Sequence, residues 1–240
     1  MQNPNQPLGQ SNPFDYSSSV PVANSSGEVR LEFLRKTYAL FMLGIVVTLL
    51  VGAATLQVQP LMAASLAVWR MPLLALVLLF GLSIGAQAVS RVEGLNYVAL
   101  FGFTGLIGWL FTPLLAFYEL RQPGILGQAA ALTTIMFGSL TAYVFVSKKD
   151  FSFMGGLLFV GLIGLILGGL VNAFLLHSPF TSYIMAWFTL LLFSGYVLYD
   201  TSNIMLRYDS RGYCSAALSL YLDFFNMFMA IVRILGGGRR

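Results

Sequence analysis

The sequence predicts an all-α polytopic membrane protein, a bundle of seven transmembrane helices. Three observations predict it. Of the 240 residues, 58% are hydrophobic and 9% charged, whereas a soluble domain averages about 25% charged. The charges are confined to short connections, with none between Lys36 and Arg70, Arg70 and Arg91, Glu93 and Glu119, Arg121 and Lys148, or Asp150 and Asp200. Nothing alternates with a period of two as a barrel strand would, and hydrocarbon tolerates only segments whose backbone is paired internally, so the spans are helices.

A spanning helix needs about 20 mostly apolar residues, because the hydrocarbon is roughly 30 Å thick and each residue rises 1.5 Å. The first four charge-free gaps hold one span each. The fifth holds two, broken at "LLHSPFTS". The predicted spans are Thr37–Leu56, Pro72–Ser90, Asn96–Phe117, Gly124–Val146, Phe153–Leu176, Tyr183–Leu206 and Ser215–Leu235. Their short connections make neighbours mostly antiparallel, and residues 28–240 form one transmembrane domain. Residues 1–27, rich in Asn, Gln, Ser and Pro, predict a disordered polar tail. The tail is long and poor in charge for the start of a signal peptide, so the first helix is expected to remain as an anchor. Gly81, Gly85, Gly164 and Gly168 sit at small-xxx-small spacing, which predicts close helix contacts.

Charge bias orients the bundle. With the N-terminus in the cytoplasm, that side receives Arg30, Arg35, Lys36, Arg91, Lys148, Lys149, Arg207 and Arg211, against Arg70 and Arg121 outside. This follows the positive-inside rule. The tail "RILGGGRR" leaves two options open: a seventh full crossing puts Arg233, Arg239 and Arg240 outside, and a re-entrant last segment returns them. The formal charge of +4 follows from the inside bias, so no nucleic-acid partner is inferred. A bacterial inner membrane is the expected location.

Several chemistries are poorly provided for. One cysteine, Cys214, allows neither an intrachain disulfide nor a thiolate cluster. One histidine, His177, lies at a helix end and reads as an interfacial residue, and by itself builds no zinc site. "GLSIG" fits the nucleophile-elbow pattern but lies inside an apolar helix, without the strand-turn-helix setting that the elbow needs. No resident cofactor is expected.

Two aspartates interrupt this background, in "YVLYDTSNIM" and "LSLYLDFFNMF". An ionisable group away from the ends of a membrane helix costs at least about 2.5–3.5 kcal/mol and marks a functional site by default. Asp200 lies about 9 Å inside the cytoplasmic end of the sixth helix and Asp223 about 12 Å inside that of the seventh, at 1.5 Å per residue. The loop between, "RYDSRGYC", is short, so the two carboxyls come level on antiparallel neighbours. Asn203 and Asn226, three residues on, share the faces of Asp200 and Asp223. Ser219 can join this polar seam. Arg91, at the cytoplasmic end of the second helix, and Arg207, in the turn beyond the sixth, are the candidate guanidiniums to compete for the pair. Two carboxylates in a low-dielectric site cannot both ionise cheaply and titrate as a coupled unit. They can share one proton, or bind a calcium ion transiently when both are ionised. The plainer alternative is that each aspartate caps or glues helices through the asparagines and the backbone.

"YVLYDTSNI" followed by "ALSLYLDFFNMFMAIVRILGG" resembles the signature end of the Bax inhibitor family, the transmembrane Bax inhibitor motif proteins. "FLRKTYALFMLG" and the "FTPLL" ending the third span agree with it. The resemblance implies a seven-helix bundle with the last helix central and a pH-sensitive calcium leak. It further implies that Asp200 and Asp223 form the proton sensor, with an arginine at the inner end of the second helix, matched here by Arg91, linked to the first of them in the closed state. No acidic residue stands within the second helix, where some members carry a glutamate. Also implied are a survival role in eukaryotic members and control of a membrane-bound AAA protease in some bacterial ones.

The expected function is therefore a proton-gated calcium leak, not an enzyme, with the lipid bilayer, calcium ions and a membrane-bound protease as partners. The alternative is a non-channel regulator that binds such a protease or a death effector. An intramembrane aspartyl protease also places a Tyr-Asp pair on its sixth helix, as Tyr199–Asp200 does. That class, however, has Gly-x-Gly before its second aspartate, where this chain has Leu220-Tyr221-Leu222.

Overall fold

The apolar segments form helices, as lipid demands of backbone that cannot hydrogen-bond to water. A computed structural model of the chain describes residues 21–90, 92 and 94–237. Its helices are α1 (Gly27–Gln57), α2 (Gln59–Trp69), α3 (Pro72–Val89), α4 (Leu95–Arg121), α5 (Ile125–Ser147), α6 (Gly155–Val171), α7 (Pro179–Leu206) and α8 (Tyr213–Gly237). A π-helical turn, Asn172–Leu176, extends α6. Six of these are long and apolar enough to cross a membrane, and α2 with α3 makes a seventh as a pair bent by 105°.

Packing shows why the bent pair counts as one crossing. Gly44 of α1 meets Thr104 of α4, and Gly52 meets Thr112. The contacts advance in the same direction on both helices, so α1 and α4 run parallel. The chain between them must return across the bundle, and α3 does so along α4. The short α2 was not predicted: residues 58–70 read as a connection. Pro60 fits its first turn, and eleven residues span only about 16 Å. It lies across α4, where Pro113 interrupts the helical bonding. There the Leu110 carbonyl accepts from Trp69 Nε1 at 2.6 Å and Ser65 Oγ at 3.2 Å.

The closest approach is between α1 and α4. A Cβ on Gly108 would collide with the Thr48 carbonyl. Thr48 Oγ1 lies 2.9 Å from the Thr104 carbonyl and 3.0 Å from that of Gly44. The Tyr221 hydroxyl of α8 stands 2.6 Å from the same Oγ1 and ties α8 into the crossing. Around it α8 packs on α1, α4, α5 and α7 and is the most buried span. Phe41, Phe137 and Phe224, from α1, α5 and α8, interlock with ring centroids 5.2–5.7 Å apart. The last helix is thus central, and its 25 residues are long enough to cross.

Two expectations change. Gly81, Gly85 and Gly164 have no neighbour within 4 Å of a Cβ position. Of the four predicted glycines only Gly168 meets α7, at Met185, and the tighter α6–α7 contacts come from Gly155 beneath Tyr199, Gly161 beneath Leu192 and Gly195 beneath Leu158. Spacing along one helix cannot say which face meets a neighbour. Residues 21–27, counted with the predicted disordered tail, include a short 3-10 turn at Val22–Asn24 and the start of α1. Val22 is fully buried, and its N–H donates to the Tyr208 carbonyl at 2.8 Å. Residues 1–20 lie outside the described residues.

Gly108→Ala should force α1 and α4 apart and cost about 1–3 kcal/mol, as overpacking does. Gly102→Ala, which meets nothing within 4 Å, should be neutral or slightly stabilising. Denaturant titration of the two variants in mixed micelles checks the contrast.

Candidate functional site

The site is built at one end of the bundle by the α7–α8 hairpin. Asp209 closes the turn: its carbonyl accepts from Gly212 N at 2.8 Å and its carboxylate from Arg211 N at 3.1 Å. The helices return antiparallel, so Asp200 and Asp223 meet with their carboxyls in hydrogen-bonding reach of each other. Asp223 is 3% exposed, and among the described residues no donor reaches its Oδ2. An ionised carboxylate only accepts hydrogen bonds. A bond between these two carboxyls therefore requires one shared proton, and the arrangement can hold one.

Hydroxyls surround the pair. Tyr196 of α7 is close enough to feel both carboxyls. Tyr208, in the hairpin, faces Asp200 and places its hydroxyl 3.4 Å from Ser219 Oγ and within reach of Ser215. Burial first, then the neighbouring Asp200, pushes the Tyr208 phenol above its ordinary value, so at neutral pH it keeps its proton and can donate. One residue along α7, Thr201 adjoins Tyr38 of α1, whose hydroxyl also neighbours Thr141 of α5. These three hydroxyls are buried, and none makes a well-formed hydrogen bond among the described residues.

The predicted supporting residues divide. Ser219 joins the seam through Tyr208. Asn226 does not turn to Asp223, because its Nδ2 donates to the Leu222 carbonyl of its own helix at 2.7 Å. Asn203 is buried at 8% exposure, and its backbone carbonyl closes the end of α7 by accepting from Arg207 N and Tyr208 N. Arg207 leaves the seam altogether. At the end of α7 its guanidinium turns outward, 3.0 Å from Asp150 Oδ2 and onto Ser152 Oγ, both just before α6. Arg91 lies outside the described residues. His177 is exposed in the α6–α7 turn with φ 49°, as an interfacial residue would be. Sequence reasoning missed Tyr38, Thr141, Tyr196 and Tyr208. Their apolar rings and small hydroxyls look like ordinary lipid-facing or core residues until the helices are assembled.

Residues 30–240 match the family described as "Inhibitor of apoptosis-promoting Bax1". The chain belongs to the Bax inhibitor family. It is 37% identical to "Bax inhibitor 1" of Schizosaccharomyces pombe over 226 residues, covering 92% of this chain and 82% of that one. An uncharacterised membrane protein of Vibrio cholerae is also 37% identical, over 85% of this chain and 88% of its own. "Protein lifeguard 4" of Mus musculus is 34% identical over 92% and 91%. The Bax inhibitor match spans every helix, including both aspartates, and the family is named for inhibiting a death effector rather than for catalysis. Together with the apolar helices, these relatives make the chain an integral membrane protein.

The Asp150 carboxyl is held down at about 2, from 3.8, chiefly by the backbone and hydroxyl of Ser152 and then by Arg207. A depressed carboxyl contributes above its ordinary range and loses its contribution as pH falls from about 4 through about 2. Between pH 6 and 8 the Asp150 carboxylate stays ionised. Asp150→Asn should therefore shift the melting temperature by the same small amount at pH 6 and at pH 8 in thermal scans of the detergent-solubilised protein.

Proposed function

We propose that this Bax inhibitor family member is a calcium-permeable leak gated by a proton shared between Asp200 and Asp223. The observation that carries the proposal is the meeting of two carboxyls from α7 and α8, inside the membrane-spanning bundle, with one of them buried. Nearby charge is what decides the state of such a pair. With one proton the pair carries a negative charge and can hold Arg91, which follows α3 in the chain. A second proton removes that charge, frees α3, and opens a path for cations, so acid favours the open state. Two carboxylates offer fewer oxygens than the six to eight of a resident calcium ion, which suits passage better than storage.

The proposed location is the bacterial inner membrane with the N-terminus in the cytoplasm. The charge bias supports it, and so does the bacterial relative. The pair would then sense cytoplasmic pH. The names of the family and the yeast relative favour a second reading, in which the protein binds and regulates a death effector or a membrane-bound protease. Deleting residues 1–20, which spares the buried Val22, separates the two: a leak keeps its flux, whereas a tail-borne regulator loses its effect on the partner.

The decisive experiment is calcium uptake into liposomes holding the purified protein, between pH 6 and 8. Flux should rise towards pH 6, and Asp200→Asn and Asp223→Asn should each flatten the profile at least severalfold. Asp150→Asn should leave its shape intact. A wild-type profile retained in both aspartate variants, or no flux above empty liposomes, would end the leak reading.

A further inference from the structure

The side of α3 turned towards α8 carries one polar contact whose neighbours lead to the carboxyl pair. Ser215 Oγ of α8 donates to Gln87 Oε1 of α3 at 2.9 Å. Ser215, Ser219 and Asp223 stand four residues apart, on one face of α8. Tyr208 bridges the first two with its hydroxyl. A continuous polar seam therefore runs from Gln87 on α3, along α8, to Asp223 and Asp200. Among the described residues, the Ser215 bond is the hydrogen bond that joins α3 to α8.

The rest of α3 is loosely held. It packs along α4 and against α2, at the periphery of the bundle. Between α3 and α4 lies an open apolar groove of about 260 Å³ lined by Leu82, Gly85, Ala86, Val98, Gly102 and Phe103. A helix seated beside such a groove has few protein contacts to give up when it shifts. A hydrogen bond at its inner end, in surroundings that offer few other partners, then weighs heavily on its position.

We propose that the Ser215–Gln87 hydrogen bond is the latch that holds α3 closed against α8, which makes Gln87 a positioning residue for the gate. The proposal rests on the leak reading for its consequence in flux, but not for the latch itself. The titratable groups around the seam are Asp200 and Tyr196 of α7, Asp223 of α8 and Tyr208 of the hairpin. Lys36 of α1 and Tyr97 of α4 meet Tyr213 at the start of α8. Arg91 and Glu93 follow α3, outside the described residues. Gln87 and Ser215 do not ionise, so the latch is not the sensor. It sets how far α3 must be pushed before the change at the pair opens the path.

The test measures helix position and flux separately, on the full chain in lipid. Spin labels at Ile84→Cys on α3 and Val146→Cys on α5, both exposed, report the distance in a Cys214→Ala background. At pH 8, Gln87→Leu and Ser215→Ala should both shift or broaden the distance distribution relative to the wild type. Ser215→Thr, which keeps the hydroxyl, should retain the wild-type distribution. In the liposome assay the first two variants should leak calcium at pH 8 and lose most of the pH dependence. Wild-type distances in both of them at pH 8, or a shift in Ser215→Thr as large as in Ser215→Ala, would overturn the latch. Shifted distances in a protein that passes no calcium at any pH would support the latch and remove the leak reading alone.

Discussion

The architecture hangs on the place where α1 and α4 come so close that Gly108 has no room for a methyl group. In lipid no hydrophobic force drives helices together, so backbone contact and interhelical hydrogen bonds must do it. Gly44, Thr48 and Gly52 on α1 mesh with Thr104, Gly108 and Thr112 on α4. The hydroxyl of Thr48 then satisfies itself across the interface. Because this crossing is parallel, α2 and α3 have to bring the chain back, and that return makes the bundle one of seven crossings. Tyr221 reaches Thr48 from α8, so the same contact also seats the central helix.

A central helix creates the problem that the site exploits. A carboxyl on α8 is enclosed by neighbouring helices, and Asp223 is almost fully buried. Its compensation comes from Asp200 on the next helix, an acid rather than a base. A basic partner would neutralise it permanently, as Arg207 does for the exposed Asp150. A second acid leaves the charge of the pair dependent on a proton. The acids at this end of the bundle thus divide by depth: the exposed Asp150 stays ionised near neutrality, and the buried pair is the one suited to respond.

The polar side chains outside the pair follow the same division. Hydroxyls of Tyr38, Thr141 and Thr201 gather where α1, α5 and α7 meet. Those of Tyr208, Ser215 and Ser219 gather on the side that leads to α3. Towards the other end the bundle is held by aromatic packing and by donors to the carbonyl of Leu110. Polar contacts that can rearrange are concentrated where a change of charge would be felt.

Much of this was legible in the linear order of residues. Charge-free stretches of about 20 residues mark spanning helices because hydrocarbon thickness and helical rise leave no other solution. Two aspartates a short hairpin apart announce a pair, because an isolated membrane carboxylate is too costly to be incidental. The short α2 was hidden, since its eleven residues fall below the length of a span. Which glycines meet a neighbour was hidden too: Gly81 and Gly85 face open space while Gly108 has none. Arg207 stood about two turns from Asp200 in sequence, yet the end of α7 aims it at Asp150. Sequence alone determined that the chain crosses the membrane as helices and that two acids lie within it, because those depend on composition and spacing. Tertiary structure decided which helices touch, which hydroxyls gather round the acids and which arginine is kept away, because the direction of a side chain is set by the packing of helices distant in the chain.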